Sequence, residues 1–332
     1  MKKLSFLFTA FLMAALTHAQ SSMLATLSHE GEISTYYGAN ALKDAFNASQ
    51  NGDVITLSSG SFNAIDITKA VTIRGNGMSA DNTSGSLPTI LLGDFKINIP
   101  SDVTQSLSME GIFHNGSIEV INLSNSSFLK NRLGSIYDGG GNVSNRNKMK
   151  NISFIHCKIL SSFHIYGSAN CINCYIGDPY LDGTVTINNC FFYYTRDGIS
   201  PRFNGTTFVN TILYTANNTL GSDVSAYNCL GYTTKGTDIF KNISNTTNHI
   251  FTNWNEIFKT YTGTYDDMEN FELTEEAIKK YKGNDGTEVG IYGGSLPFSP
   301  TPSNPQITKC KVASKSTADG KLSVDIEVSA SE

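Results

Sequence analysis

Ile155-His156-Cys157-Lys158-Ile159, Ile172-Asn173-Cys174-Tyr175-Ile176 and Asn188-Asn189-Cys190-Phe191-Phe192 repeat one pattern at intervals of 17 and 16 residues. A polar residue is followed by a small one, and apolar residues alternate on either side. The pattern extends both ways along the chain. Met109-Glu110-Gly111-Ile112-Phe113 and Ser124-Asn125-Ser126-Ser127-Phe128 precede it, and Val209-Asn210-Thr211-Ile212-Leu213 and Tyr227-Asn228-Cys229-Leu230-Gly231 follow. With the polar position as origin, the origins fall at 110, 125, 156, 173, 189, 210 and 228, with gaps of 15, 31, 17, 16, 21 and 18 residues. The long gap holds the loop sequence Tyr137-Asp138-Gly139-Gly140-Gly141-Asn142. A repeat this short is too small for a helix pair or a propeller blade. It suits one coil of a β-solenoid, whose inner face is buried only by stacking on the next coil.

Period-two alternation assigns the faces. Phe154, Cys171, Ile187, Phe208 and Ala226, two residues before the origin, point inward, as do Ile152, Ala169, Val185, Thr206 and Val224 two residues earlier. The small column Ser126, Cys157, Cys174, Cys190, Thr211 and Cys229 also points inward, followed by Ile159, Ile176, Phe192 and Leu213. The origin column is mostly Asn, which tolerates the left-handed backbone of a tight bend and can hydrogen-bond in stacked ladders. Outward lie Lys158, Tyr175, Phe191, Ile212 and Leu230, and then Tyr193, Tyr214 and Tyr232. A continuous aromatic strip of this kind rarely faces water idly. It is either covered by the aromatic segment 250–262 or free to stack on sugar rings or a partner.

These units resemble the right-handed parallel β-helix superfamily of pectin and pectate lyases, in particular exported bacterial β-helix proteins. The resemblance covers residues 38–295 and implies an all-β chain wound as a single right-handed parallel β-helix. An amphipathic capping helix at about 40–50, with Leu42, Ala45 and Phe46 on one face, plugs the first coil. Residues 52–57 and 71–77 read as first-coil strands. A closing segment spans about 250–296, with a short helix over 274–281 and a closing strand over 286–294. Pro297, Pro300, Pro302 and Pro305 mark a linker over 297–306. In the tail, 307–332, alternating Leu322, Val324, Ile326 and Val328 predict a β-hairpin with residues 307–312, turned at Asp319-Gly320.

Composition agrees with this reading. Of 332 residues only 16% are charged, which is few for the outer faces of helices, and the net charge is −5. That balance offers no electrostatic basis for nucleic acid as a partner. Residues 1–19 read as a signal peptide: Lys2 and Lys3, an apolar run over 4–16, and Thr17-His18-Ala19 before a cleavage site at Gln20. The expected location is therefore secreted, periplasmic or cell-surface. No cysteine follows for a lipid anchor, and no later segment reaches transmembrane length.

The resemblance also implies chemistry. Lyases of the superfamily hold calcium with carboxylates and remove a proton with Arg or Lys. Hydrolases use paired Asp residues as acid and base. The residues placed to act this way are Asp182, Arg196, Asp197 and Arg202. However, Arg196-Asp197-Gly198-Ile199-Ser200-Pro201-Arg202 lacks the lyase arginine spacing, and the hydrolases' twin-Asp and Gly-His-Gly motifs are absent. Sugar contacts are expected from Tyr175, Phe191, Tyr193, Tyr214 and Tyr232. The cysteines read as small apolar fillers, with a Cys174–Cys190 disulfide as the oxidised alternative and Cys171/Cys174 as a weak zinc signal. His156 reads as a bend residue. The expected function is binding or processing of a polysaccharide, with a non-catalytic surface or adhesion protein as the alternative. An open aromatic strip favours the first; a strip covered by 250–262 favours the second.

Overall fold

The computed structural model describes residues 23–80, 87–139, 147–194, 203–216, 218–233, 236–245, 247–264, 269–303, 306–312, 315–316 and 319–329. The stretch read as a signal peptide, residues 1–19, lies outside them. The chain is an all-β, right-handed parallel β-solenoid of about 9 turns. Among the described residues no helix is long and apolar enough to cross a membrane.

Each coil contributes short strands that pair in register with the coils above and below. One stack runs through Ile152–Ile155, Ser168–Ile172, Pro179–Asn188, Phe203–Val209 and Ser225–Tyr227. A second, after the bend, runs through Lys158–Ile159, Tyr175–Gly177, Phe191–Tyr193, Ile212–Tyr214 and Leu230–Tyr232. A third runs through Phe95–Asn98, Ile112–Ser124, Arg132–Asp138, Phe163–Ile165 and the start of Pro179–Asn188. The inward positions are buried, and Phe128 stacks on Phe154 with ring centroids 4.9 Å apart. The helix Ala41–Ala48 closes the N-terminal end by burying Leu42, Ala45 and Phe46. Val54–Leu57 and Thr72–Arg74 pair in parallel as the first rungs.

The register differs from the sequence reading in two coils. Phe128 pairs with both Met109 and Phe154, so the bends there fall at Gly111 and Lys130 rather than at Glu110 and Asn125. The bend column is Gly111, Lys130, His156, Asn173, Asn189, Asn210 and Asn228, all left-handed with φ between 50° and 66°. Asn125 instead sits at another bend, also left-handed, and its side-chain oxygen accepts from Nδ2 of Asn151 at 2.8 Å. Any Asn satisfies the left-handed requirement, so the two bend series look alike in sequence.

The residue after the bend faces inward and closes a hydrogen-bond circuit. Its own backbone N–H is met by the side chain one coil on: Ile112 N donates to Asn131 Oδ1, Cys157 N to Cys174 Sγ, Cys174 N to Cys190 Sγ and Cys190 N to Thr211 Oγ1. Those side chains donate in turn to carbonyls of the preceding coil. Asn131 bonds Met109 O, Cys174 bonds Phe154 O, Cys190 bonds Cys171 O and Thr211 bonds Ile187 O. The alternation of Asn, Cys and Thr in this column follows: each is small and can both accept and donate. Cys157, Cys171, Cys174, Cys190 and Cys229 are free thiols, so Cys174 and Cys190 share a hydrogen bond rather than a disulfide.

Beyond the last coil the chain turns back. The stretch read as a closing strand is a series of turns, with Gly286, Gly290 and Gly294 at positive φ. It runs as a strap down the bend column. Asn228 Nδ2 donates to Lys282 O, Asn210 Nδ2 to Asn284 Oδ1, and Asn173 Nδ2 to the carbonyls of Ile291 and Gly293. His156 Nε2 lies 2.9 Å from Leu296 O. The proline-rich stretch read as a linker continues the strap: Phe298 and Pro302 are buried, and the Ser303 backbone and hydroxyl both donate to Glu110 Oε1. Glycine replaces Asn at 111 for a local reason, since a Cβ there would lie 3.0 Å from the Gly75 carbonyl and 3.1 Å from Pro302. The tail forms an antiparallel pair, Gln306–Val312 with Val324–Ser329.

Candidate functional site

The aromatic strip is covered. Tyr175, Phe191, Ile212 and Leu230 are buried in a second core outside the solenoid, against Phe251, Trp254, Phe258, Tyr261, Phe271 and Ile291. Phe271 stacks on Tyr175 at 5.3 Å, and Tyr261 meets Phe191 edge-on at the same separation. Tyr193, Tyr214 and Tyr232 are half-buried at the margin of this core. Tyr232 stacks on Trp254 with centroids 3.8 Å apart, and the Tyr193 hydroxyl donates to Gly263 O. Burial raises the Tyr193 phenol above its usual pKa. Of the five rings assigned to sugar contact, Tyr175 and Phe191 are sealed in this core, while Tyr193, Tyr214 and Tyr232 pack along its margin and stay partly exposed.

A different sheet face lies outside both hydrophobic cores. On the third strand stack the pairing Glu119–Tyr137–His164–Tyr180 brings three rings into one outward column. Tyr137 and His164 meet edge-on at 5.0 Å, His164 and Tyr180 lie 5.4 Å apart, and Tyr166 joins Tyr180 at 5.6 Å. All four are half-exposed and belong to neither hydrophobic core. Beneath them, Asp138 is fully buried and accepts from the backbone N–H groups of Lys148, Met149 and Tyr166. Burial raises its pKa against the pull of those donors. Asp138 thereby ties the backbone at Tyr166 to that at Lys148 and Met149.

Asp182 lies on this face. It follows Leu181, the partner of Ile165, and so neighbours Tyr166 across the pair; its carboxylate accepts from Asn204 Nδ2 at 3.0 Å. Arg196, Asp197 and Arg202 lie outside the described residues. At the N-terminal end the face opens into a cavity of about 450 Å³ lined by Asp66, Asp94, Phe95, Lys96, Ser117, Glu119 and Tyr137. Asp94 Oδ1 accepts from Ser117 N–H at 2.7 Å and Asp66 Oδ1 from Lys96 N–H at 2.8 Å. Lys96 Nζ pairs with Glu119 at 2.9 Å, and that hydrogen bond raises its pKa. Among the described residues no group of three or more His, Cys, Asp or Glu is placed to hold a metal ion.

The sequence reading missed this ring column although a signal existed. Tyr137, His164 and Tyr180 are spaced 27 and 16 residues apart, nearly the 26 and 17 that separate the bends at Lys130, His156 and Asn173. Assigning Tyr137 to a loop and the bend to Asn125 hid the match. No known family model matches the chain, and no curated protein or solved structure matches it.

Proposed function

We propose that this chain is an exported β-helix, related to the pectin and pectate lyase-like superfamily, that binds a polysaccharide along the face carrying Tyr137, His164, Tyr166 and Tyr180. The observation that supports this reading is the column Tyr137, His164 and Tyr180, one partly exposed ring per coil with Tyr166 beside Tyr180, set apart from both hydrophobic cores. Rings at coil spacing offer apolar faces to successive sugars, and neighbouring Ser and Asp side chains offer hydrogen-bond partners. Binding rather than cleavage is favoured by the unmatched arginine spacing and the missing hydrolase motifs.

The test is a glycan array probed with the mature protein, with ultraviolet absorbance followed for unsaturated sugar ends. Tyr137→Ala combined with Tyr180→Ala should weaken binding about tenfold, since each ring contact is worth roughly 0.5–1.5 kcal/mol. Tyr193→Ala should leave affinity unchanged if the protein remains folded. Absence of binding to every polysaccharide would sink the proposal. That outcome favours the second reading, a non-catalytic surface or adhesion protein, which draws support from the burial of Tyr175, Phe191, Ile212 and Leu230 under the closing segment.

A further inference from the structure

The ring-bearing face is electrically uneven, and its N-terminal end constrains which sugar can lie there. The cavity beside Tyr137 is lined by three carboxylates, Asp66, Asp94 and Glu119, and one ammonium, Lys96. Lys96 is already committed to Glu119. Asp66 and Asp94 each have one oxygen held by a backbone N–H, which fixes the carboxylate and leaves its second oxygen as an acceptor. Fixed carboxylate oxygens suit sugar hydroxyls, which donate. They oppose a sugar carboxylate or sulfate, which can only accept and carries like charge. Tyr137 forms one wall of this cavity and begins the ring column, so the same chain of sugars would meet both.

Resting on the polysaccharide-binding reading, we infer that the cavity formed by Asp66, Asp94, Lys96, Ser117, Glu119 and Tyr137 is a subsite for an uncharged sugar and rejects uronic acids. The carboxylates act by exclusion as well as by contact, so specificity resides in a repulsive element. The ring column tolerates many sugars; the cavity selects among them by charge.

The experiment uses matched oligosaccharides that differ only in oxidation at C6: galacto- against galacturono-, gluco- against glucurono-, and manno- against mannurono-oligomers, titrated into the mature protein at low salt. At least one neutral series should bind about tenfold or more tighter than its uronate counterpart. The advantage should shrink as salt is raised. A double variant, Asp94→Asn with Glu119→Gln, keeps shape and hydrogen-bonding capacity; it should bring the ratio toward unity by improving uronate binding. Equal or tighter binding of uronates by the unaltered protein overturns the inference while leaving the polysaccharide reading intact. Failure of both series to bind defeats that reading and this inference with it.

Discussion

Cys190 shows how much one interior position carries. Its sulfur accepts from the Cys174 N–H at 3.3 Å and donates to the Cys171 carbonyl at 3.5 Å. Burial pushes the Cys157, Cys171 and Cys174 thiols well above their ordinary pKa, and Cys229 up to about 12, so these sulfurs stay protonated and unreactive. Cys190→Ala removes a buried donor and acceptor and leaves a small void, and should cost roughly 1–3 kcal/mol in urea unfolding. Cys190→Thr should cost distinctly less, because Thr211 performs both bonds one coil on. Equal losses in the two variants would refute the hydrogen-bonding role. The sequence shows the inward placement of this column through alternation alone. Its hydrogen bonds are not legible there, because they join residues in different coils whose offsets vary with each insertion.

At the scale of elements, the strap and the bend column depend on one another. His156 occupies an Asn position and meets Leu296 O. Burial holds its pKa below 6.5, aided by the charge of Lys130 and opposed by the bond to Leu296. The folded value lies below the unfolded one, so the unfolded chain takes up the proton first as pH falls. The contribution of neutral His156 is therefore intact above pH ~6.5 and declines below it. His114, also lowered by burial, adds a slope of the same sign, whereas His29, raised by its bond to Asp53, opposes it. His156→Asn should flatten the loss of stability between pH ~7 and ~5, measured by urea midpoint; an unchanged slope would place the sensitivity elsewhere. Sequence alternation identified the rings Tyr175 and Phe191 as outward and left two occupants for them, the segment 250–262 or a sugar. It did not extend the cover to Phe271, Ile291 and Phe298, because turn-rich chain has no period to read.

For the whole molecule, a solenoid ordinarily behaves as a stack in which each coil knows only its neighbours. Here the strap joins distant coils, from Asn228 to Glu110. Unfolding should therefore be a single transition. A chain ending at residue 281 loses the strap and uncovers part of the outer core, and should show a smaller urea m-value or a split transition; an unchanged m-value would mean that the coils are coupled without it. The solenoid was legible because its repeat is local and its inner face obeys strict alternation. The ring column was less so, because it depends on which outer face lies away from the chain's return path.

That return path also decides where the rod can be held. Ser303 is held against Glu110, on the flank of an early coil rather than at the tip of the last one. Any load arriving through the tail therefore enters from the side. Pulled outward, the strap peels from the Glu110 end, one contact at a time. Pulled along the axis, the bonds to His156, Asn173, Asn210 and Asn228 resist together in shear. The strap should therefore yield to peeling at a lower force than to pulling along the axis.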